Sequence, residues 1–235
     1  MKFVALLIAL ASAYPLSLMM RANPRFARLC WVMVGLLPFL AAALPLFDIG
    51  IISWAGDWIG FVYSLEITMV DILALAALLA IPGGPLPWAY KAPLLVYIAA
   101  AALSVFQATE PVATTFGVWQ FARMFLVMAV VARASRHDPR VAVDILCGMA
   151  IGMGMNLVAV VYQRFGMDLT QTRGLFVHQN TLGMTTHFVL FPHLAMLLYG
   201  YGRMRYVLPT ILGTVLIVIF TASRATVGLA ALGMM

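Results

Sequence analysis

Long apolar runs separated by short polar breaks dominate the sequence. Proline and glycine clusters such as Pro82-Gly83-Gly84-Pro85 fall between the runs, where they interrupt regular structure. A bilayer core offers the backbone no partners from outside, so each run is predicted to be a helix. Eight runs are long enough to cross a bilayer, at about 3–20, 29–47, 64–81, 93–109, 117–133, 142–164, 181–200 and 207–222, and a ninth begins near Ser223. The pattern predicts an all-α, polytopic transmembrane bundle of eight to nine spans, in a single transmembrane domain over residues 1–235.

The composition supports a membrane protein. Hydrophobic residues make up 64% of the 235 residues and charged residues only 9%, and the mean hydropathy is +1.03. The core of a soluble protein does not need so large an apolar fraction. The net charge of +6 comes from basic residues in short loops between spans, a signal of membrane orientation and not of nucleic-acid binding. The cysteines, histidines and carboxylates show no spacing typical of a metal site, so neither a metal nor another cofactor is expected.

Basic and acidic residues alternate between successive loops, which predicts the side of the membrane that each loop faces. The basic loops are assigned to the cytoplasm and carry Arg21, Arg25, Arg28, Lys91, Arg133, Arg136, Arg140, Arg203 and Arg205. The other loops carry Asp48, Asp57, Glu110, Asp168 and the segment 173–180. The segment 173–180 is therefore predicted to lie outside the cytoplasm.

Four arginines depart from this bias, because Arg123, Arg164, Arg173 and Arg224 all fall in the outer half. An arginine within a span is costly unless it faces protein, water or a counter-ion, so these residues are candidates for function. Snorkelling to the interface is the alternative. Polar residues share helical faces in three pairs that lead toward the same surface: Gln120 with Arg123, Asn156 with Gln163, and Asn180 with His187. The pairs predict an outward polar cleft, although helix–helix hydrogen bonds would also explain each of them, and Gly148, Gly152 and Gly154 predict close helix packing.

The segment 173–180 combines a guanidinium, an imidazole and a carboxamide within eight residues. A guanidinium binds phosphate in a bidentate way, and an imidazole exchanges a proton near neutral pH. No nucleotide-binding glycine-rich loop is present. A lipid-linked pyrophosphate fits these features, with arginines that stabilise the departing pyrophosphate and His178 that deprotonates an acceptor hydroxyl.

The motif Arg173-Gly174-x-Phe176-x-His178-x-Asn180, followed one span later by Thr221-Ala222-Ser223-Arg224, resembles the O-antigen ligase and polymerase superfamily of bacterial envelope glycosyltransferases. The resemblance implies transfer of a glycan from an undecaprenyl-pyrophosphate carrier to a lipid A core or polysaccharide acceptor. It implies an inner-membrane protein of lipopolysaccharide or exopolysaccharide biosynthesis, active at the periplasmic face without a metal. The expected catalytic residues are Arg173, His178 and Arg224, and the expected substrate-binding residues are Arg123, Arg164, Asn180, Gln120, Gln163, His187 and Ser223.

One feature departs from the family pattern. Its members are usually much longer and carry a further catalytic histidine in a large periplasmic loop, whereas this sequence ends at Met235, inside an apolar run. This departure predicts that the sequence is the N-terminal part of a longer protein or a truncated product, and it leaves open both the activity of this chain alone and the role of His178 as the base.

Three alternatives stay open, namely a second glycosyltransferase mechanism, a transporter or flippase, and a scaffold subunit. Asp48, Asp57 and Glu66 stand where other polyprenol-dependent glycosyltransferases keep metal-binding or basic carboxylates, and metal dependence would distinguish that mechanism. A transporter or flippase of an anionic lipid or lipid-linked glycan would use the same arginines, but it should show paired broken helices in related halves, and the sequence shows none.

Overall fold

The structure is a computed structural model that describes residues 2–40, 48–53, 62, 64–82, 88–221 and 223–234, with only the backbone described at Lys2, Asp48, Tyr90, Arg224, Ala225 and Met234. The helices in this part of the chain are α1 (Lys2–Ala22), α2 (Pro24–Leu36), α3 (Met69–Ala80), α4 (Trp88–Ser104), α5 (Pro111–His137), α6 (Arg140–Val161), α7 (Gln179–Leu198), α8 (Met204–Thr221) and α9 (Arg224–Met234). Two strands, β1 (Asp48–Ser53) and β2 (Ser64–Thr68), form an antiparallel sheet. Short 3₁₀ turns cover Leu37–Phe39 and Val105–Gln107, and a π-turn covers Tyr162–Gly166.

Among the described residues, five helical segments are long and apolar enough to cross a membrane, namely Phe3–Ala22, Pro111–His137, Arg140–Gly166, Gln179–Leu198 and Met204–Thr221. They confirm the prediction of a helical multi-pass membrane protein. Eight to nine spans were predicted, but the apolar helices Met69–Ala80 and Lys91–Gln107 are shorter, at 10–17 residues. A helix of 12 residues such as α3 extends only about 18 Å, less than the ~30 Å of a bilayer core.

Two predicted spans form shorter helices than predicted. The run at 29–47 forms α2 only to Leu36, where a 3₁₀ turn containing Pro38 takes over, because proline cannot donate the hydrogen bond that continues a helix. Residues 41–47 of that run lie outside the described part. The prediction of one helix over 64–81 is wrong in its first five residues, which form β2.

The switch from strand to helix at Thr68 has a local cause. The side chain of Asp71 accepts hydrogen bonds from the Thr68 backbone N–H at 2.7 Å and from its hydroxyl at 2.9 Å. This capping interaction fixes the start of α3 at Met69. The preceding residues pair with β1, with Asp48 opposite Thr68 and Ser53 opposite Ser64.

Two compact units make up the chain. The first comprises Met1–Cys30 with Leu46–Ala142. Within it, α1 packs against α3, α3 packs against α5, α4 packs against α5, and the hairpin touches α1 through β1 and α5 through β2.

The second unit comprises Trp31–Pro45 with Val143–Met235. Here α7 packs along α8, and α9 contacts both. One core cluster contains Phe39, Met153, Val160, Leu182, Val189 and Ile217, and another contains Leu190, Val207, Ile211, Val218 and Ala230.

Glycines on α6 meet different surroundings. A Cβ at Gly148 would collide with the backbone oxygen of Val32, and one at Gly152 would approach the Phe39 ring to 2.7 Å. These two positions confirm the prediction of close packing. Gly154 departs from it, because a Cβ there would meet no atom within 4 Å.

Candidate functional site

The segment 173–180 is held in place by two carboxamides of the preceding helix. Oε1 of Gln163 accepts hydrogen bonds from the backbone N–H groups of Arg173 and Gly174, each at 2.9 Å, and Nε2 donates to the Gly174 carbonyl at 2.8 Å. Oδ1 of the fully buried Asn156 accepts from the Leu175 N–H at 2.9 Å. Each such bond contributes roughly 1 kcal/mol, and an orphaned buried partner would cost more.

Gly174 is required at its position for two reasons. Its φ is +58°, a left-handed conformation that other residues adopt only with strain. A Cβ there would also lie 2.6 Å from Oδ1 of Asn156. The backbone therefore requires the glycine of the Arg-Gly pair, because Gly174 lets the chain approach the buried carboxamide.

The guanidinium of Arg173 lies at the surface of this segment. Arg173 is exposed, its Nη1 donates a long hydrogen bond of 3.4 Å to the Val177 carbonyl, and its own carbonyl accepts from the Phe176 N–H at 3.1 Å. Arg164 lies in the π-turn that ends α6, and its Nη1 donates to the Leu169 carbonyl at 3.0 Å. Two cations thus flank a loop whose backbone is fixed from inside.

His178 caps helix α7. Its backbone is extended (φ −136°, ψ 142°), and its Nδ1 accepts a hydrogen bond from the Asn180 N–H at 3.1 Å. This bond satisfies one of the donors that every helix N-terminus leaves free. A ring nitrogen that accepts carries the lone pair, so in the neutral ring the proton is on Nε2. In this arrangement the exposed imidazole presents an N–H donor to a ligand.

The start of α9 lies at the same end of the second unit as this loop. Thr172, which is fully buried, donates from its hydroxyl at 3.1 Å and from its N–H at 3.3 Å to the Phe220 carbonyl, near the end of α8. The hydroxyl of Ser223 accepts from the Thr226 N–H at 3.5 Å and caps α9. The backbone of Arg224 therefore begins a helix beside the Arg173 loop, while its side chain lies outside the described part.

Arg123 belongs to the first unit and has counter-ions there. Its Nη1 lies 2.8 Å from Oε1 of Glu66, and its Nε lies 2.8 Å from Oδ2 of Asp71. Nη1 also donates to Oε1 of Gln120 at 3.0 Å, and Nη2 donates to the Thr68 hydroxyl at 3.0 Å. The Arg123 and Asp71 side chains are only 11% and 10% exposed. One cation faces two carboxylates, so this cluster attracts anions poorly, and its geometry favours a structural role for Arg123.

The three pairs of polar residues on helical faces have different hydrogen-bond partners. Gln120 donates to Glu66 at 2.6 Å, and Asn156 and Gln163 hold the loop as described. Nε2 of His187 lies 3.3 Å from the Thr226 carbonyl, which ties α7 to α9. Asn180 is exposed at the start of α7. Hydrogen bonds within the protein therefore account for Gln120, Gln163 and His187. Arg173, His178 and Asn180 are exposed and lie in one short segment of the chain.

Among the carboxylates assigned to the first outer loop, the structure describes the side chain of Glu66. Glu66 pairs with Arg123, the side chain of Asp48 and all of Asp57 lie outside the described residues, and those described contain no group of three or more His, Cys, Asp or Glu that could hold a metal.

Three contacts were not found by sequence reasoning. Glu66 and Asp71 could have been identified as partners of Arg123, because an arginine within a span requires a counter-ion. No pattern in the sequence indicates the hydrogen bonds from Thr172 to the Phe220 carbonyl, since they depend on the packing of a loop against a helix end. The close approach of Gly183 to the Thr226 side chain likewise depends on tertiary packing.

No protein family, curated protein or solved structure matches this chain.

Proposed function

We propose that the chain is an integral membrane glycosyltransferase of the O-antigen ligase or polymerase type. It transfers a glycan from an undecaprenyl-pyrophosphate carrier to a lipid A core or polysaccharide acceptor at the periplasmic face of the inner membrane. The acceptor oxygen bonds to the anomeric carbon, the bond from that carbon to the pyrophosphate oxygen breaks, and the departing pyrophosphate keeps the electron pair. The proton of the acceptor hydroxyl passes to an oxygen of that pyrophosphate. The proposal rests on the motif resemblance and on the geometry of the loop at 173–180.

The observation that carries the proposal is the preorganisation of that loop. Asn156 and Gln163 bind its backbone from inside, while Arg173 and His178 remain exposed at one end of two membrane-length helices. The backbone that carries Arg173 and His178 is thus set before a substrate binds, which lowers the cost of placing donors against developing charge. The partly buried Gln163 and the fully buried Asn156 hold this backbone around the left-handed Gly174.

In this proposal Arg173 and Arg224 bind the pyrophosphate, and Arg164 adds a third cation at the same end. His178 donates from Nε2 to a phosphate oxygen, because its Nδ1 is engaged by the helix cap. Asn180 and Ser223 line the same end, whereas Gln163 positions the loop. Arginine neutralises pyrophosphate through paired donors, so the mechanism requires no metal.

The test replaces each arginine in the full-length protein in its bacterial host. We expect Arg173→Ala and Arg224→Ala to reduce glycan transfer by about a hundredfold or more, since each removes charge stabilisation in the transition state. Arg173→Lys and Arg224→Lys should recover little, because an ammonium lacks the guanidinium fork. Transfer is measured as polysaccharide per unit of protein in the membrane.

Arg203→Ala is the matched control, because Arg203 is exposed in the loop between α7 and α8, at the other end of that helix pair. It should transfer at the unmodified rate. Normal transfer by both Arg173→Ala and Arg224→Ala, at normal abundance, would refute the proposal. Loss of movement of the lipid-linked glycan across the membrane, with transfer intact on a supplied donor, would favour the transporter alternative.

A further inference from the structure

Thr172 connects the loop that carries Arg173 to the end of α8. The Thr172 side chain is fully buried, its hydroxyl donates to the Phe220 carbonyl at 3.1 Å, and its N–H donates to the same oxygen at 3.3 Å. Phe220 is the residue before the last one of α8, and the last four carbonyls of an α-helix have no partner within the helix. Thr172 therefore caps α8 from a position 48 residues earlier in the chain.

The next peptide group of the loop is bound to a different helix end. The N–H of Arg173 donates at 2.9 Å to Oε1 of Gln163, which lies in the π-turn that follows α6. The rings of Phe165 and Phe220 pack edge-to-face with their centroids 5.7 Å apart, which joins the same two helix ends. Two successive N–H groups thus fix the backbone at Arg173 relative to the ends of two membrane-length segments.

The end of α8 also sets the start of α9. Helix α8 ends at Thr221, and α9 begins three residues later at Arg224. Across so short a connection, the position of the Phe220 peptide limits where the Arg224 backbone lies. The buried Thr172 side chain therefore relates the backbone of Arg173 to that of Arg224.

We propose that Thr172 is a positioning residue that sets the backbone of Arg173 relative to Arg224. The inference rests on the proposed function, in which both arginines bind one pyrophosphate. Two guanidinium groups stabilise the charge on one leaving group only when both lie at contact distance from it, and a displacement of about 1 Å can cost up to a hundredfold in rate. Without the hydroxyl, only the longer N–H bond holds the loop to Phe220.

The experiment measures kcat and KM of the full-length protein in nanodiscs, with the undecaprenyl-pyrophosphate glycan and the acceptor extracted from its bacterial host. Thr172→Val keeps the shape of the side chain and removes the hydroxyl. Its kcat should fall about tenfold, while KM for the lipid-linked glycan should change less than about twofold, as expected when the lost stabilisation is that of the transition state. Thr172→Ser keeps the hydroxyl and should restore kcat to within about twofold. Thr172→Ala is a second variant without the hydroxyl if the valine lowers the abundance of the protein.

Thr214→Val is the matched control. Thr214 is equally buried, but its hydroxyl donates at 2.6 Å to the Thr210 carbonyl within α8. This variant should keep the unmodified kcat. A residue that only stabilises the fold would lower the free energy of unfolding and leave kcat per folded molecule unchanged, so unmodified kcat for both Thr172→Val and Thr172→Ala would overturn the inference. An equal loss of kcat in Thr214→Val would overturn it as well.

A double-mutant cycle with Arg224→Lys tests the link between the two arginines. Beside Arg224→Lys, Thr172→Val should cost less than about twofold in kcat, because the position of Arg173 relative to a residue without the guanidinium fork matters less. Independent effects, in which Thr172→Val still costs its full tenfold, would contradict the proposed positioning role.

The two proposals fail separately, because hydrogen–deuterium exchange reports the link without transfer. In Thr172→Val, the amides of residues 173–178 and 224–229 should exchange faster than in Thr214→Val. If Arg173→Ala and Arg224→Ala abolish transfer while Thr172→Val keeps the unmodified kcat, only the positioning role is lost. If exchange accelerates at both segments while both arginine variants transfer normally, Thr172 still links the segments and the transferase proposal is lost.

Discussion

At the scale of single residues, the hydrogen bond from Asn180 to His178 determines what the imidazole offers. The sequence predicts His178 as a general base, which needs a free lone pair at the reacting proton. The cap engages Nδ1, which leaves the Nε2 proton as the group that reaches outward. A base would require the other tautomer and the loss of the cap, so a donor role fits the folded loop better.

This difference predicts the behaviour of two variants. His178→Asn keeps a side-chain acceptor at the N-cap, so its free energy of unfolding should match that of the unmodified protein, whereas His178→Ala should lose about 1 kcal/mol. Both variants lack the Nε2 donor, and both should transfer roughly ten- to a hundredfold more slowly. If His178→Asn transfers at the unmodified rate, the imidazole N–H makes no contribution to the reaction.

At the scale of secondary-structure elements, the Arg123 cluster attaches the hairpin to a membrane-length helix. The indole N–H of Trp119 donates to the Glu66 carbonyl at 2.6 Å, beside the ion pairs of Arg123 with Glu66 and Asp71. Through these bonds α5 binds both β2 and the start of α3. The cluster explains why 64–68 is a strand, since Glu66 pairs with α5 and the helix begins only after the cap at Thr68.

The cluster leads to a stability prediction. Arg123→Met should leave the largely buried Asp71 and the partly buried Glu66 without their cation, at a cost of about 3–5 kcal/mol in the free energy of unfolding. Arg25→Met, at an exposed position, is the control and should change it little. The measurement is denaturant unfolding in detergent micelles. An Arg123→Met protein as stable as the control would show that the ion pairs contribute little.

The sequence predicted some elements well for a physical reason. Helices such as α5 to α8 were predicted because a long apolar run is placed in lipid, where a helix satisfies the hydrogen bonds of its own backbone. The hairpin was not predicted, because Leu65 and Ile67 are as apolar as their helical neighbours and the pairing with β1 is not local. In the loop, the motif identified Arg173 and His178, but the support from Asn156 and the cap at His178 depend on side-chain directions that spacing alone does not give.

At the scale of the whole molecule, the orientation in the membrane decides which substrates can reach the loop. The end of the second unit that carries Arg164, Arg173 and the start of α9 is the predicted outer end. Arg203, in the loop between α7 and α8, and Arg205, in the first turn of α8, stand at the opposite end of those helices. The prediction of an outward loop rests on this alternation of charge along the chain.

Single cysteines test the orientation directly. In a background where Cys30 and Cys147 are replaced, Thr170→Cys and His137→Cys each place a thiol at an exposed position. A membrane-impermeant maleimide added to spheroplasts should label only position 170, and position 137 should react after the membrane is permeabilised. Labelling of both thiols after permeabilisation is the control for reactivity. If position 137 alone reacts in intact spheroplasts, the loop faces the cytoplasm. Transfer from a carrier on the periplasmic face is then impossible for Arg173, whatever its chemistry.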